Sequence, residues 1–82
     1  MKIVMVGIDL GRNLCSVVCL DETGAVVLRR RMKRDSVLPF TVRLEPCMVA
    51  MEACCGAHHL GRQIAAQGHG VRLMSPKYVR LM

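Results

Sequence analysis

Apolar and polar positions fall into blocks that set the elements of this chain. Lys2 to Leu10 is apolar on both alternating faces, Ile3 and Met5 on one and Val4, Val6 and Ile8 on the other. That is the pattern of a central strand in a sheet covered on two sides. Gly11-Arg12-Asn13 is a turn signal, and Leu14 to Leu20 repeats the two-faced apolar run. Asp21-Glu22-Thr23-Gly24 marks a second turn, after which Ala25 to Met32 begins apolar and ends basic. Two short turns in succession predict three antiparallel strands in a meander, the third of them at the sheet edge.

The pattern then changes. Asp35 or Ser36 can cap a helix over Val37 to Leu44, with Pro39 in its first turn and Pro46 as its stop. Cys47 to Met51 is a fourth strand, and Glu52 follows it. Gly56 or Ala57 to Gln67 is a second helix with Leu60, Ile64 and Ala65 on one face, ended by Gly68 and Gly70. Val71 to Met74 reads as a fifth strand, Ser75-Pro76 as a turn, and Lys77 to Met82 as the opening of a further element. The order is β-β-β-α-β-α-β, and helical crossovers before the last two strands predict parallel pairing there.

Composition narrows the class. With 82 residues the chain is one small domain or a piece of a larger one, and a hydrophobic fraction of 52% excludes a disordered chain. No apolar run reaches the roughly 18–20 residues of a membrane span. The first run breaks at Asp9, too early for a signal-peptide core, so a cytosolic protein with no membrane partner is expected. The five cysteines are odd in number and contain no C-x2-C pair, so they read as reduced small hydrophobes. Cys54-Cys55 and His58-His59 read as the start of a helix rather than as closed zinc-ligand pairs.

Charge points to a partner. Twelve basic residues against six acidic ones give a formal charge of +6, densest in Arg29-Arg30-Arg31-Met32-Lys33-Arg34. Such a cluster suits the phosphates of DNA or RNA, and it also protects an edge strand from pairing with another sheet. With one Phe, one Tyr and no Trp, sequence readout of single strands is not expected.

Two strands end on carboxylates: Ile3-Val4-Met5-Val6-Gly7-Ile8 on Asp9, and Cys47-Met48-Val49-Ala50-Met51 on Glu52. With the first strand beside the fourth and parallel to it, both acids come to the crevice outside the carboxyl ends of the strands. Side by side they repel, and a hard divalent cation relieves that repulsion. Mg²⁺ or Mn²⁺ at such a site is suited to phosphodiester chemistry. The alternative is two solvated strand-end residues.

Gly7-Ile8-Asp9-Leu10-Gly11, the meander, Met51-Glu52-Ala53-Cys54, His58-His59-Leu60-Gly61-Arg62, Gly68-His69-Gly70-Val71-Arg72-Leu73 and Pro76-Lys77-Tyr78-Val79 occur in that order. Together they resemble the start of one group of insertion-sequence transposases. These carry a Holliday-junction-resolvase-like DEDD catalytic domain, and the group includes RNA-bridged recombinases. The resemblance covers nearly the whole chain.

It implies an α/β, ribonuclease H-like fold, a five-stranded mixed sheet in order 3-2-1-4-5 with crossover helices after strands three and four. Residues 1–82 would be an N-terminal segment of a transposase that cuts and rejoins DNA with Mg²⁺ or Mn²⁺. The first two acids of the tetrad map to Asp9 and Glu52. The third and fourth acids, and a second domain with a serine nucleophile, fall outside the match. The segment is therefore expected to be truncated and inactive alone, with an open sheet face that drives homo-oligomer formation. Its partners would be DNA and a guide RNA in a bacterial cytoplasm. Arg12, Arg29, Arg30, Arg31, Lys33 and Arg34 are its nucleic-acid candidates.

Two other classes compete. An actin- or sugar-kinase-like ATPase also opens with a Gly-x-Asp-x-Gly hairpin, but Arg12-Asn13 stand where Thr or Ser usually holds a phosphate. A non-catalytic nucleic-acid-binding module would keep the basic cluster and need neither acid.

Overall fold

Short turns between β-rich runs build half of the sheet, and two helical crossovers add the rest. The structure, a computed structural model, describes residues 2–54 and 56–74. The turn expected at Ser75-Pro76, the element expected from Lys77 and Cys55 lie outside the described residues. The elements are β1 (Ile3–Leu10), β2 (Leu14–Asp21), β3 (Val26–Lys33), α1 (Arg34–Thr41), β4 (Met48–Glu52), α2 (Ala57–Ala66) and β5 (Gly70–Met74). They form a five-stranded sheet in the expected order, β3-β2-β1-β4-β5. β1 pairs antiparallel with β2 and β2 with β3, while β1–β4 and β4–β5 are parallel.

The β2–β3 hairpin is fixed by its own acid. Asp21 Oδ1 accepts from Thr23 N at 2.9 Å, Thr23 Oγ1 at 2.6 Å and Ala25 N at 3.1 Å. These bonds, led by the Thr23 hydroxyl, hold the Asp21 carboxyl below its ordinary pKa.

The first helix departs from expectation. β3 runs directly into α1, so Lys33 is the N-cap without a side-chain bond, and Asp35 falls inside the first turn rather than capping it. There its charge complements the helix dipole. Pro39 is consequently interior to α1 rather than in its first turn. Its ring removes the N–H that would bond the Asp35 carbonyl, which keeps the helix short. α1 ends at Thr41, ahead of Pro46, with Val42 N bonding Leu38 O at 3.0 Å.

Both helices cover the same face. Val6, Ile8 and Leu10 of β1, Cys15, Val17 and Cys19 of β2, and Val49 and Met51 of β4 form one core with Val37 of α1 and Ala57, Leu60 and Ile64 of α2. Right-handed crossovers that step across a sheet in one direction place their helices on one side. Among the described residues, β1 is thus covered by helices on one face rather than two. α2 buries Ala57, Leu60, Gly61 and Ile64, an i, i+3, i+4, i+7 stripe, and Ala65 is exposed instead of joining it.

Candidate functional site

Register decides which side chains meet. On β1 the even positions Val6, Ile8 and Leu10 enter the core, so the odd positions project to the other face. β1 pairs in register with β4 from Met5↔Met48 to Ile8↔Met51, and Met51, like Ile8, is a core residue. Asp9 and Glu52 are the next residue on each strand. They therefore share the face away from the helices, on strands about 4.8 Å apart. Asp9 is exposed and Glu52 half-buried. The sequence expectation that the two acids end neighbouring parallel strands describes the backbone found here.

The glycine after Asp9-Leu10 is required by the turn, because a Cβ on Gly11 would collide with the Leu14 carbonyl oxygen. Arg34 bonds this turn and lies close to the loop after Glu52. Its Nη2 donates to Gly11 O at 3.4 Å, and its Nη1 lies 2.8 Å from where a Cβ on Gly56 would stand. Gly56 has φ +85°, a conformation that glycine adopts without strain.

The donor set suits a hard cation. Among the described residues no three His, Cys, Asp or Glu side chains form a metal-ligand cluster. The pair offers carboxylate oxygens only, and Mg²⁺ is commonly held by one or two carboxylates with the remaining positions left to water and phosphate. Asp21, Glu22 and Glu45 lie at the opposite end of the sheet, and Asp35 lies on α1.

The basic run divides between two faces. β2 and β3 pair as Leu14↔Lys33, Ser16↔Arg31, Val17↔Arg30 and Val18↔Arg29. Val17 is in the core, so Arg30 lies on the helix-bearing face and Arg29, Arg31 and Lys33 on the face of the acids. Asp9 pairs with Ser16 and Ser16 with Arg31, so one row across the sheet carries Arg31, Ser16 and Asp9. A shallow hollow of about 300 Å³ beside that row is lined by Ser16, Val18, Arg29 and Arg31, among others. Arg72 of β5, opposite Ala50, lies on the same face on the far side of the acids. Arg12 is exposed in the β1–β2 turn.

Sequence reasoning assigned nothing to the buried His69. Its Nδ1 accepts from Cys47 N at 3.2 Å, which leaves Nε2–H to donate to Thr41 O at 2.7 Å. Gln67 continues the network, accepting from Thr41 Oγ1 at 2.7 Å and donating to Leu38 O at 3.1 Å. The end of α1, the α2–β5 turn and the start of β4 are joined there, at the sheet end away from the acids.

Cys47 Sγ lies 3.7 Å from His69 Nδ1, which raises the question of an activated thiol. Burial pushes the Cys47 thiol above its ordinary pKa. Burial also raises Cys19, with Cys47 adding to the effect and Arg30 opposing it. Both thiols stay protonated at neutral pH and are poor nucleophiles. Iodoacetamide at pH 7 is expected to leave Cys19 and Cys47 unmodified in the folded chain while alkylating both in denaturant, as read by peptide mass spectrometry. Rapid labelling of folded Cys47 would instead place a thiolate beside His69.

No family model matches the chain. It is 42% identical over 79 residues to the transposase for insertion sequence element IS1328 of Yersinia enterocolitica, covering 96% of this chain and 24% of that protein. A protein of Pseudomonas aeruginosa described as a probable family 20 transposase is 41% identical over 80 residues, 98% of this chain and 24% of its own length. The transposase for insertion sequence element IS1111A of Coxiella burnetii is 33% identical over 78 residues, 95% of this chain and 21% of its own. The chain thus spans about a quarter of the length of the curated relatives that it matches. These relatives favour the transposase reading over the ATPase one. No helix among the described residues is long and apolar enough to cross a membrane.

Proposed function

We propose that this chain is part of an insertion-sequence transposase, a reading that its similarity to such proteins supports, and that it contributes the first two metal-binding acids, Asp9 and Glu52, to a ribonuclease H-like domain that cuts and rejoins DNA. What carries the reading is the register: the two carboxylates stand on adjacent parallel strands, one residue past the Ile8↔Met51 pair and on one face. Bound there, Mg²⁺ or Mn²⁺ would supply activation of a water or hydroxyl and stabilisation of the departing oxygen. The two carboxylates would hold the ion, and Arg34 braces the turn after Asp9 through the Gly11 carbonyl. Arg29, Arg31 and Lys33 receive the DNA backbone along the same face and lead it past Ser16 to Asp9. Arg12 adds a phosphate contact at the turn.

Two carboxylates make a partial site. The other four acids of the chain stand at the far end of the sheet or on α1, so this stretch alone binds the cation weakly and cleaves no DNA. The working protein would add further acids and act on DNA in the bacterial cytoplasm.

Paramagnetic Mn²⁺ tests the site directly. In ¹H–¹⁵N spectra, titration is expected to broaden the amides of Asp9, Leu10, Glu52 and Ala53 first, and Asp9→Asn is expected to abolish that selectivity. Broadening centred elsewhere, or unchanged in Asp9→Asn, would remove the acid pair from the mechanism.

A further inference from the structure

The helix-bearing side of β3 carries a second basic feature that the acid pair does not explain. Ser36, Pro39, Phe40 and Arg43 are spaced i, i+3, i+4 and i+7, one stripe along α1 and the turn after it. Arg43 N bonds Phe40 O at 3.3 Å, which continues the helical path far enough to bring Arg43 onto that stripe. Facing it on β3 are Arg30 and Met32, whose neighbour Arg31 projects to the other face of the sheet, and these residues together line a groove of about 350 Å³. The guanidiniums of Arg30 and Arg43 thus share this side of the sheet with one aromatic ring, half-buried against the core and the only Phe of the chain. Among the described residues, neither the Arg30 nor the Arg43 guanidinium forms a hydrogen bond or ion pair, and no carboxylate lines the groove.

We propose that this groove is a separate nucleic-acid site that takes one unpaired nucleotide, its base stacked on Phe40 and its flanking phosphates held by Arg30 and Arg43. The volume is at the lower end of the roughly 300–1,000 Å³ of small-ligand sites, a size that suits one nucleotide. Planar guanidiniums match phosphate oxygens in bidentate fashion. An aromatic face accepts any base, so the contact tolerates sequence, in keeping with the scarcity of aromatic residues. Ser36 Oγ supplies a hydroxyl at sugar level. Arg30 lies on the sheet face opposite Asp9 and Glu52, so a strand seated here is distinct from the one delivered to the acids. The edge strand β3 would then grip nucleic acid on both of its faces. DNA and RNA single strands share the required base and phosphate chemistry.

Fluorescence anisotropy of the 82-residue chain, with EDTA present throughout, makes the outcome independent of the acid pair. The probes are fluorescein-labelled single-stranded DNA, single-stranded RNA of matching sequence, and the corresponding DNA duplex. Phe40→Leu is expected to weaken binding of both single strands by at least about fivefold and to leave the duplex unchanged. Arg43→Gln is expected to weaken both single strands, to lower the slope of log K against log salt for them by about one, and to leave the duplex unchanged. Tighter binding of RNA than of DNA would support the site and add a 2′-hydroxyl contact at Ser36. Unchanged single-strand affinity in folded Phe40→Leu, or binding of duplex alone, would overturn the proposal. Should that variant unfold, photocrosslinking of an iodouracil-bearing strand to the wild-type chain decides: the crosslink must fall on the peptide that contains Phe40, and one confined to other peptides refutes it.

Discussion

His69→Ala is expected to remove a large part of the stability of this chain. Alanine leaves the Cys47 N–H and the Thr41 carbonyl without partners at a site where His69 is only 5% exposed. Each buried orphan costs about 1–3 kcal/mol. The space vacated by the imidazole adds to that. A loss of about 3–5 kcal/mol compares with a total of roughly 4–12 kcal/mol for a domain of this size, from about 0.05–0.15 kcal/mol per residue. Each kcal/mol lowers Tm by about 4–8 °C in small domains, so a fall of roughly 12–40 °C is expected in calorimetry.

His69→Gln separates hydrogen bonding from volume. Its amide offers one donor for Thr41 O and one acceptor for Cys47 N, but on a longer, flexible stem that does not superpose them on the two ring nitrogens, so its Tm should fall between the two. The network lies at the far end of the sheet from Asp9. At a temperature where His69→Ala remains folded, its pattern of Mn²⁺ broadening should match that of the wild-type chain. A Tm within a few degrees of wild type would mean that water replaces the ring and that the network does not hold α1 to the sheet.

The strands were legible because each leaves a local signature, namely two-faced apolar runs, turn residues between them, and a helical period before each parallel strand, whereas their order across the sheet was what the family resemblance implied. The start of α1 was not legible. Asp35 and Ser36 are good capping residues by type, but β3 continues into the helix without a loop, and tertiary position overrides that preference. The acids were legible as strand ends because an uncompensated carboxylate after an apolar run is unusual. Their shared face follows from register, which a single sequence does not fix. Register also divides one basic run into Arg29, Arg31 and Lys33 on one face and Arg30 on the other. His69 gave no signal at all. Set between Gly68 and Gly70 it looks like a turn residue, and only the fold brings Thr41 and Cys47 to its two nitrogens.

In a transposase that carries this stretch, Asp9→Asn and Glu52→Gln are each expected to reduce Mg²⁺-dependent strand cleavage by at least about a hundredfold, since a metal ion contributes several kcal/mol to stabilising such a reaction. The double variant should be little worse than either single one. Two groups that hold one ion act as a unit, and removing the second takes away nothing that the first had not already removed. Stability should move the opposite way. Two like charges on adjacent strands repel, so in EDTA either neutral variant should melt slightly higher than the wild type, while Mg²⁺ should raise the Tm of the wild type alone. Asp21→Asn, at the β2–β3 hairpin, serves as the control and should leave cleavage intact, because its carboxylate bonds only within its own turn. Full cleavage by Asp9→Asn, or strictly multiplicative losses in the double variant, would show that the two carboxylates do not share an ion.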